Sequence, residues 1–363
     1  MCCTRFSPST PPEWDSAANS DYKEPFIRTY NLCLLGYGNV NRALVGLLEK
    51  KQTELRDLQI EYRITGIASR RLGWLADPKG LSVASGAGAL AREGLPASQA
   101  SNVRDWLHAT QADVLFEATS LNVTSGEPAI DHIHAALEMG AHAITANKGT
   151  VVHAYQELRA LAASKHRRFL FESTVMDGAP IFSLFDTLPV LHLRGFRGIL
   201  NSTTNVILTG MEQGLSFEQS LKHAQEIGIA ETDPTHDVEG WDATVKVAAL
   251  VIVLMGAPIK LDAIERKGIS GLNAEEVRTA RAEGNPYKLV CRAQREGAVV
   301  TASVRPEKVT LTDPLAWISG TSSIVHFETD ILPGLAITEV NPGVETTAYG
   351  MLADFIRAAS GDA

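Results

Sequence analysis

"YNLCLLGYGNVN", residues 30–41, is the stretch on which the fold turns. "YNLCLLG" reads as a buried strand, and "NVNRALVGLLEKKQTELRDL" after it reads as a helix. Between them Gly36 permits a tight turn, and Gly38 lets backbone approach a pyrophosphate. The helix start behind them, at Asn39 and Val40, offers free N–H groups and a positive dipole end. The fingerprint expects a third glycine at position 41, where helix packs on strand, and Asn41 stands there. Two glycines alone are a weak signal, since glycine turns after strands are common. The surrounding chain decides between a structural turn and a nucleotide loop.

The same alternation repeats downstream. "YRITGIAS" reads as a second strand and "DVLFEATS" as a third, followed by the helix "EPAIDHIHAALEMG". "AHAITAN" is a fourth strand before the helix "VVHAYQELRALAASKH", and "RRFLFEST" is a fifth. Strands alternating with helices over short connections imply parallel pairing and right-handed crossovers. The fold class is therefore α/β, with a doubly wound (Rossmann) dinucleotide-binding domain. Residues 75–105, rich in Gly, Ala and Ser, read as an irregular excursion.

After about residue 174 the rhythm changes to α+β. "LRGFRGILNSTTNVILTGMEQG" reads as strand, polar cap and helix. "SFEQSLKHAQEIG" is a helix opened by a Ser-x-x-Gln capping box. Over 265–335 β-like stretches dominate, and "ETTAYGMLADFIRAAS" closes the chain as an amphipathic helix.

Composition narrows the function. A chain of 363 residues with 45% hydrophobic and 21% charged residues has a globular balance and room for a sizeable core. The net charge of −9 argues against nucleic acid or an anionic membrane as partner. The longest apolar run, 247–255, is far too short to span a bilayer. Cys2, Cys3, Cys33 and Cys291 form no disulfide framework and no zinc spacing, which gives a reducing, cytoplasmic compartment. The first 25 residues lack the apolar core of a secretory signal and read as a disordered leader.

The second strand bears on cofactor choice. It ends "IASRR", with Ser69, Arg70 and Arg71 where an NAD-binding domain carries an acid for the ribose 2′-hydroxyl. A hydroxyl and two guanidinium groups suit a 2′-phosphate, so NADP is expected, with NAD as the alternative. Two solvated arginines are the bland reading.

"ETDPTHDVEGWDATVK", residues 231–246, holds five carboxylates and one lysine, and an apolar run follows at once. Asp242 and Lys246 are four apart and share a helix face. An intrahelical ion pair would explain these two but not Glu231, Asp233 or Asp237. A lysine one residue ahead of a buried run is partly desolvated. Burial lowers an ammonium pKa and carboxylates raise it, so such a lysine is held charged yet able to release its proton. "TANKGT" puts Lys148 just past the fourth strand, where ligands bind in doubly wound sheets. His132 and His134 are two apart on a helix and fall on different faces, a poor metal pair.

Together "GYGNV", "ATS", "TANK", "ESTVMDGAP", "LNSTTN", "AETDPTHDVEGWDATVK" and "PGVETTAYGMLADFI" resemble the homoserine dehydrogenase family in its order, over about residues 30–360. The resemblance implies reduction of L-aspartate 4-semialdehyde to L-homoserine by NAD(P)H, in threonine and methionine biosynthesis. Lys246 would donate the proton and Lys148 would lie beside nicotinamide and substrate. Glu231 and Asp242 would hold the substrate ammonium, Thr203 would line the pocket, and Asp237 would orient a lysine. Thr119 and Ser120 would flank the nicotinamide ribose, and Gly343 would return to the cofactor.

"ESTVMDGAP" is similar to the family's monovalent-cation site, which implies sodium or potassium held by the backbone carbonyls of Glu172, Val175, Asp177 and Ala179. Asn41 and "NPGVETTAYG" depart from the family pattern. The chain ends near residue 363, so no ACT-type domain or fused kinase is expected. The implied organisation is a leader over 1–25, an NAD(P)-binding domain over 26–174, a catalytic and dimerisation domain over 175–335, and a segment over 336–363 that completes the first domain. A homodimer is implied. A relative reducing another amino-aldehyde, and a dinucleotide-binding protein without turnover, are the alternatives.

Overall fold

The structure, a computed structural model, describes residues 27–83 and 97–361. The expected leader, with Cys2 and Cys3, lies outside the described residues. The chain opens with β1 (Arg28–Leu35), α1 (Asn39–Lys50), α2 (Gln52–Asp57), β2 (Ile60–Ser69) and β3 (Gly73–Ala76). There follow α3 (Val103–Thr110), β4 (Val114–Glu117), α4 (Ala129–Glu138), β5 (His142–Thr145), α5 (Lys148–Ser164) and β6 (Phe169–Leu170). These strands form a six-stranded sheet in the order β3-β2-β1-β4-β5-β6. All neighbours are parallel except β3, which returns antiparallel on β2. The chain moves from β1 to β2 on one side and comes back to β4 on the other. The switch point, and with it the crevice for a ligand, lies between β1 and β4. β4 and β5 are buried throughout, as strands covered on both faces must be.

The irregular reading of 75–105 is corrected in part. β3 falls at its start, too short for a period to show. At its end Asn102 caps α3 by accepting from Asp105 N–H at 2.9 Å.

The second half contains α6 (Phe182–Asp186), β7 (Leu193–Ile199), α7 (Ser202–Glu212), α8 (Phe217–Glu226), α9 (Thr235–Val238) and α10 (Trp241–Leu254). It continues with β8 (Glu265–Arg266), α11 (Ala274–Ala282), β9 (Tyr287–Glu296), β10 (Val299–Lys308), β11 (Ser323–Thr329), β12 (Leu335–Glu339) and α12 (Val344–Ser360). A second six-stranded sheet runs β12-β11-β7-β9-β10-β8, almost wholly antiparallel. The capping box of α8 is present, with Ser216 and Gln219 exchanging hydrogen bonds. α11 interrupts the β-rich region. It buries only Val277 and Ala280, too few apolar positions to announce a helix.

α10 packs on β9 and β10 and also on α5 of the first half. From Ala243 to Ile252 all its residues are buried except Lys246, which is why its apolar pattern shows no single face. α12 returns to the first sheet, lying along α1. Phe355 meets the rings of Tyr30 and Phe116 edge-on, at centroid distances of 5.5 and 6.0 Å. Among the described residues no helix is long and apolar enough to cross a membrane.

Candidate active site

A cleft of about 730 Å³ opens at the carboxyl ends of β2, β1 and β4. Its floor is the glycine turn. Gly36 has φ +81°, and a Cβ there would stand 2.4 Å from the Ala118 carbonyl oxygen, so no other residue fits. Gly38 precedes α1 and has no close neighbour, leaving the space above it open to a ligand. Asn39 and Val40 begin α1. Asn41 is fully buried, and its amide donates to the carbonyls of Leu35 at 3.1 Å and Gly36 at 3.2 Å. The departure from glycine therefore ties the strand end to the turn.

Ser69, Arg70 and Arg71 form the β2 wall of the cleft; Arg42 also lines it, and there is no acid among the described lining residues. Thr119 and Ser120 form the β4 wall. Thr119 is held by Glu117, which is fully buried and accepts from its N–H at 3.0 Å and from its hydroxyl. Thr145 donates to the same carboxyl group at 2.8 Å. Glu117 was missed from the sequence; an acid closing the apolar run "VLFE" was the available signal.

The cleft adjoins a second set of charges. Asn147 caps α5, accepting from Gly149 N–H at 3.0 Å, and donates to the carbonyls of Thr119 and Ser120 at 3.3 and 3.4 Å. Lys148 follows at the helix start. Its Nζ lies 3.2 Å from Oδ1 of Asp242. Lys246, one turn along α10, brings its Nζ to 3.5 Å from Oδ2 of the same residue. Lys246 also donates to the Leu200 carbonyl at 2.7 Å. All three side chains are largely buried.

Asn201, at the turn from β7 to α7, links the acids. Its amide donates to Asp237 at 2.7 Å and Asp242 at 3.1 Å, while its Oδ1 caps α7 at Thr204 N–H at 2.8 Å. Sequence reasoning saw only the cap, because an asparagine serving two roles looks like one serving either. Thr203 is buried in the same turn and donates to Ile229 O at 3.2 Å. Glu231 stands apart: it is exposed, and no ion pair joins it to the lysines among the described residues.

Electrostatics follow from this packing. Burial alone would raise the Asp242 carboxyl, but the Lys246 and Lys148 ammonium groups outweigh it and hold it well below the usual carboxylate range. Burial would likewise lower Lys246, and the Asp242, Asp177 and Asp237 carboxylates overcome it, so its ammonium is held above its ordinary value. Burial, with Asp242 adding to it, pushes Asp237 up. The Cys291 thiol nearby is pushed up to about 12 by burial and is inert as a nucleophile.

The loop 172–179 lies under α12. The Glu172 carboxylate accepts from Phe182 N–H at 2.6 Å and Ser183 N–H at 2.9 Å, so the side chain is spent on capping α6. Asp177 has φ +43°, unusual for an aspartate, and Thr347 donates to its side chain at 2.6 Å. Among the described residues the carbonyls of Val175 and Asp177 accept no backbone hydrogen bond, while that of Ala179 takes one from Ile181 N–H at 2.8 Å. Free carbonyls beside a left-handed turn fit a hard monovalent cation. Among the described residues no three acidic, His or Cys side chains converge on a metal site. Gly343 is exposed, precedes α12 and does not line the cleft.

A nucleotide crevice on a parallel sheet, opening onto paired lysines beside a carboxylate, defines an NAD(P)-dependent oxidoreductase acting on a small molecule. Residues 36–172 match the family model of the homoserine dehydrogenase NAD-binding domain, and residues 180–356 match that of homoserine dehydrogenase. An NAD(+)-dependent homoserine dehydrogenase of Pseudomonas canavaninivorans is 36% identical over 336 residues, covering 90% of this chain and 96% of that protein. The homoserine dehydrogenase of Sulfurisphaera tokodaii is 32% identical over 326 residues, covering 90% and 97%. The solved structure of a hyperthermophilic archaeal homoserine dehydrogenase mutant in complex with NADPH superposes with a TM-score of 0.77 at 26% identity, covering 92% of this chain and 98% of that one.

The chain belongs to the homoserine dehydrogenase family. Its reaction is hydride transfer between L-aspartate 4-semialdehyde and L-homoserine, in the branch of amino-acid biosynthesis that leads to threonine and methionine.

Proposed function

We propose that the enzyme prefers NADP and that Lys246 is the proton donor to the aldehyde oxygen. The observation that carries this reading is Asp242 set between Lys148 and Lys246, at 3.2 and 3.5 Å, one lysine from each half of the chain. When bound, the reduced nicotinamide supplies a hydride to the carbonyl carbon. Lys246, kept protonated by its carboxylate neighbours, gives a proton to the oxygen as negative charge builds there. Lys148, at the start of α5, adds positive charge beside the same oxygen. Asp242 and Glu231 hold the substrate ammonium, Asp237 orients Lys246 through the Asn201 amide, and Thr203 closes the pocket. Thr119 and Ser120 flank the nicotinamide ribose.

The 2′-phosphate reading is supported by Ser69, Arg70 and Arg71 on a cleft wall with no acid among its described residues. The relative from Pseudomonas canavaninivorans is NAD(+)-dependent and the archaeal complex holds NADPH, so relatives use both. The test is oxidation of NADPH and NADH side by side, with L-aspartate 4-semialdehyde, in the parent and in Arg70→Ala with Arg71→Ala. Each lost charge-assisted hydrogen bond costs about tenfold, so the double variant should lose at least ~10-fold with NADPH and little with NADH. Equal losses would remove the 2′-phosphate contact.

The carbonyls of Glu172, Val175, Asp177 and Ala179 would hold sodium or potassium, a reading supported by the oxygens of Val175 and Asp177, which take no backbone hydrogen bond among the described residues. The domains run over 26–174, 175–335 and 336–363. The enzyme works in the cytoplasm, supported by free thiols at Cys33 and Cys291. It acts as a homodimer paired through the second domain, supported by exposed Trp317 and Leu311 in that domain. Sedimentation at the mass of one chain would contradict the dimer.

A further inference from the structure

The β4 wall of the cleft carries a residue that the reaction leaves without a role. His132 lies in α4 and lines the cleft beside Thr119, Ser120 and Pro128. Its side chain is only 13% exposed. Nδ1 is buried and has no hydrogen-bond partner among the described residues. It stands 3.8 Å from Oε1 of Glu117, within ion-pair range but beyond a hydrogen bond. A buried polar atom left unpaired is a rare arrangement, and it needs a physical reason. His134, two residues on, turns away to Glu138 at 3.4 Å, so the two imidazoles share no ligand.

We propose that His132 is a cofactor-binding residue that holds the nicotinamide half of the dinucleotide. The inference rests on the cofactor placement proposed above. The carboxyl ends follow the sheet order β2, β1, β4, β5. Along that edge come Arg70 and Arg71, the glycine turn, Thr119 with His132, and then Lys148. A dinucleotide reaching from the arginines to the lysines crosses the end of β4 with the sugar next to its reacting ring. The groups it offers there are ribose hydroxyls, which Nε2, the imidazole nitrogen other than the buried Nδ1, can meet as donor or acceptor. Glu117 borders both residues. Its carboxyl group accepts from Thr119 and stands 3.8 Å from His132 Nδ1, so one buried acid lies beside the two residues that meet the ribose.

The test is fluorescence titration of His132→Ala and His132→Asn with NADPH, NADH and the fragment adenosine 2′,5′-bisphosphate. His132→Ala should weaken both dinucleotides about tenfold and leave the fragment unchanged, and His132→Asn should recover part of the loss. The semialdehyde KM should stay at the parent value. A loss shared by the fragment would overturn the assignment to the nicotinamide half. Unchanged dinucleotide binding in His132→Ala would overturn the contact. Gly38→Val separates this from the placement itself, since a Cβ there comes no closer than 4.0 Å to the protein and intrudes where the pyrophosphate would sit. Binding that survives Gly38→Val sinks the placement and this inference with it. Binding lost in Gly38→Val but kept in His132→Ala sinks this inference alone.

Discussion

Asp242 owes its character to the two lysines between which it lies. A carboxyl this deeply placed would by itself resist ionisation, yet Lys246 and Lys148 reverse that tendency. Because its folded value lies below the unfolded one, its contribution to stability is complete above the ordinary carboxylate range, near pH ~4, and is lost as pH falls through the lower folded value. Asp242→Asn should therefore melt well below the parent at neutral pH, and the gap should narrow in acid. A gap that is constant with pH would mean that charge is not what the residue contributes. Asp242 and Lys246 were legible in the sequence from their spacing of four and from the apolar run behind them. Asn201, Glu117 and His132 were not. Each acts through a contact that only the fold brings about, and a polar residue that is structural in most positions carries no local mark of such a contact. Glu231 was singled out by the acidic segment too, and it is exposed in the fold.

At the scale of elements, hydrophobic patterning showed the parallel strands clearly, because burial on both faces leaves continuous apolar runs. It failed at β3 and α11. One is four residues long and the other buries two side chains, so neither generates a period. The helix boundaries that matter chemically were set by caps. α5 starts at Lys148, three residues earlier than its apolar pattern suggests, because Asn147 satisfies its first turn. The contact of α12 with the 172–179 loop is also an element-level device. Ser173 donates to Thr347 O at 2.7 Å and Thr347 donates to Asp177, so the last helix shapes the proposed cation loop. A bound ion stabilises the folded state by mass action. The melting temperature should rise in sodium or potassium chloride relative to choline chloride of equal ionic strength. Identical melting in all three salts would remove the cation from the account.

The whole molecule brings together what neither sheet holds alone. The first sheet supplies the cleft and Lys148; the second supports α10 with Asp242 and Lys246, and the β7–α7 turn with Asn201. The sequence showed both halves and the residues of each. It could not show that Lys148 and Lys246, 98 positions apart, converge on a single carboxylate, because that depends on how α5 packs on α10.

The central claim, that Lys246 delivers the proton in this joint site, is tested by turnover of L-aspartate 4-semialdehyde in the parent and in Lys246→Ala. Absorbance of the reduced nicotinamide reports turnover, and cofactor binding is titrated on the same samples. The account predicts a fall of at least ~10²-fold with cofactor binding intact. A variant that binds cofactor and turns over near the parent rate would contradict it.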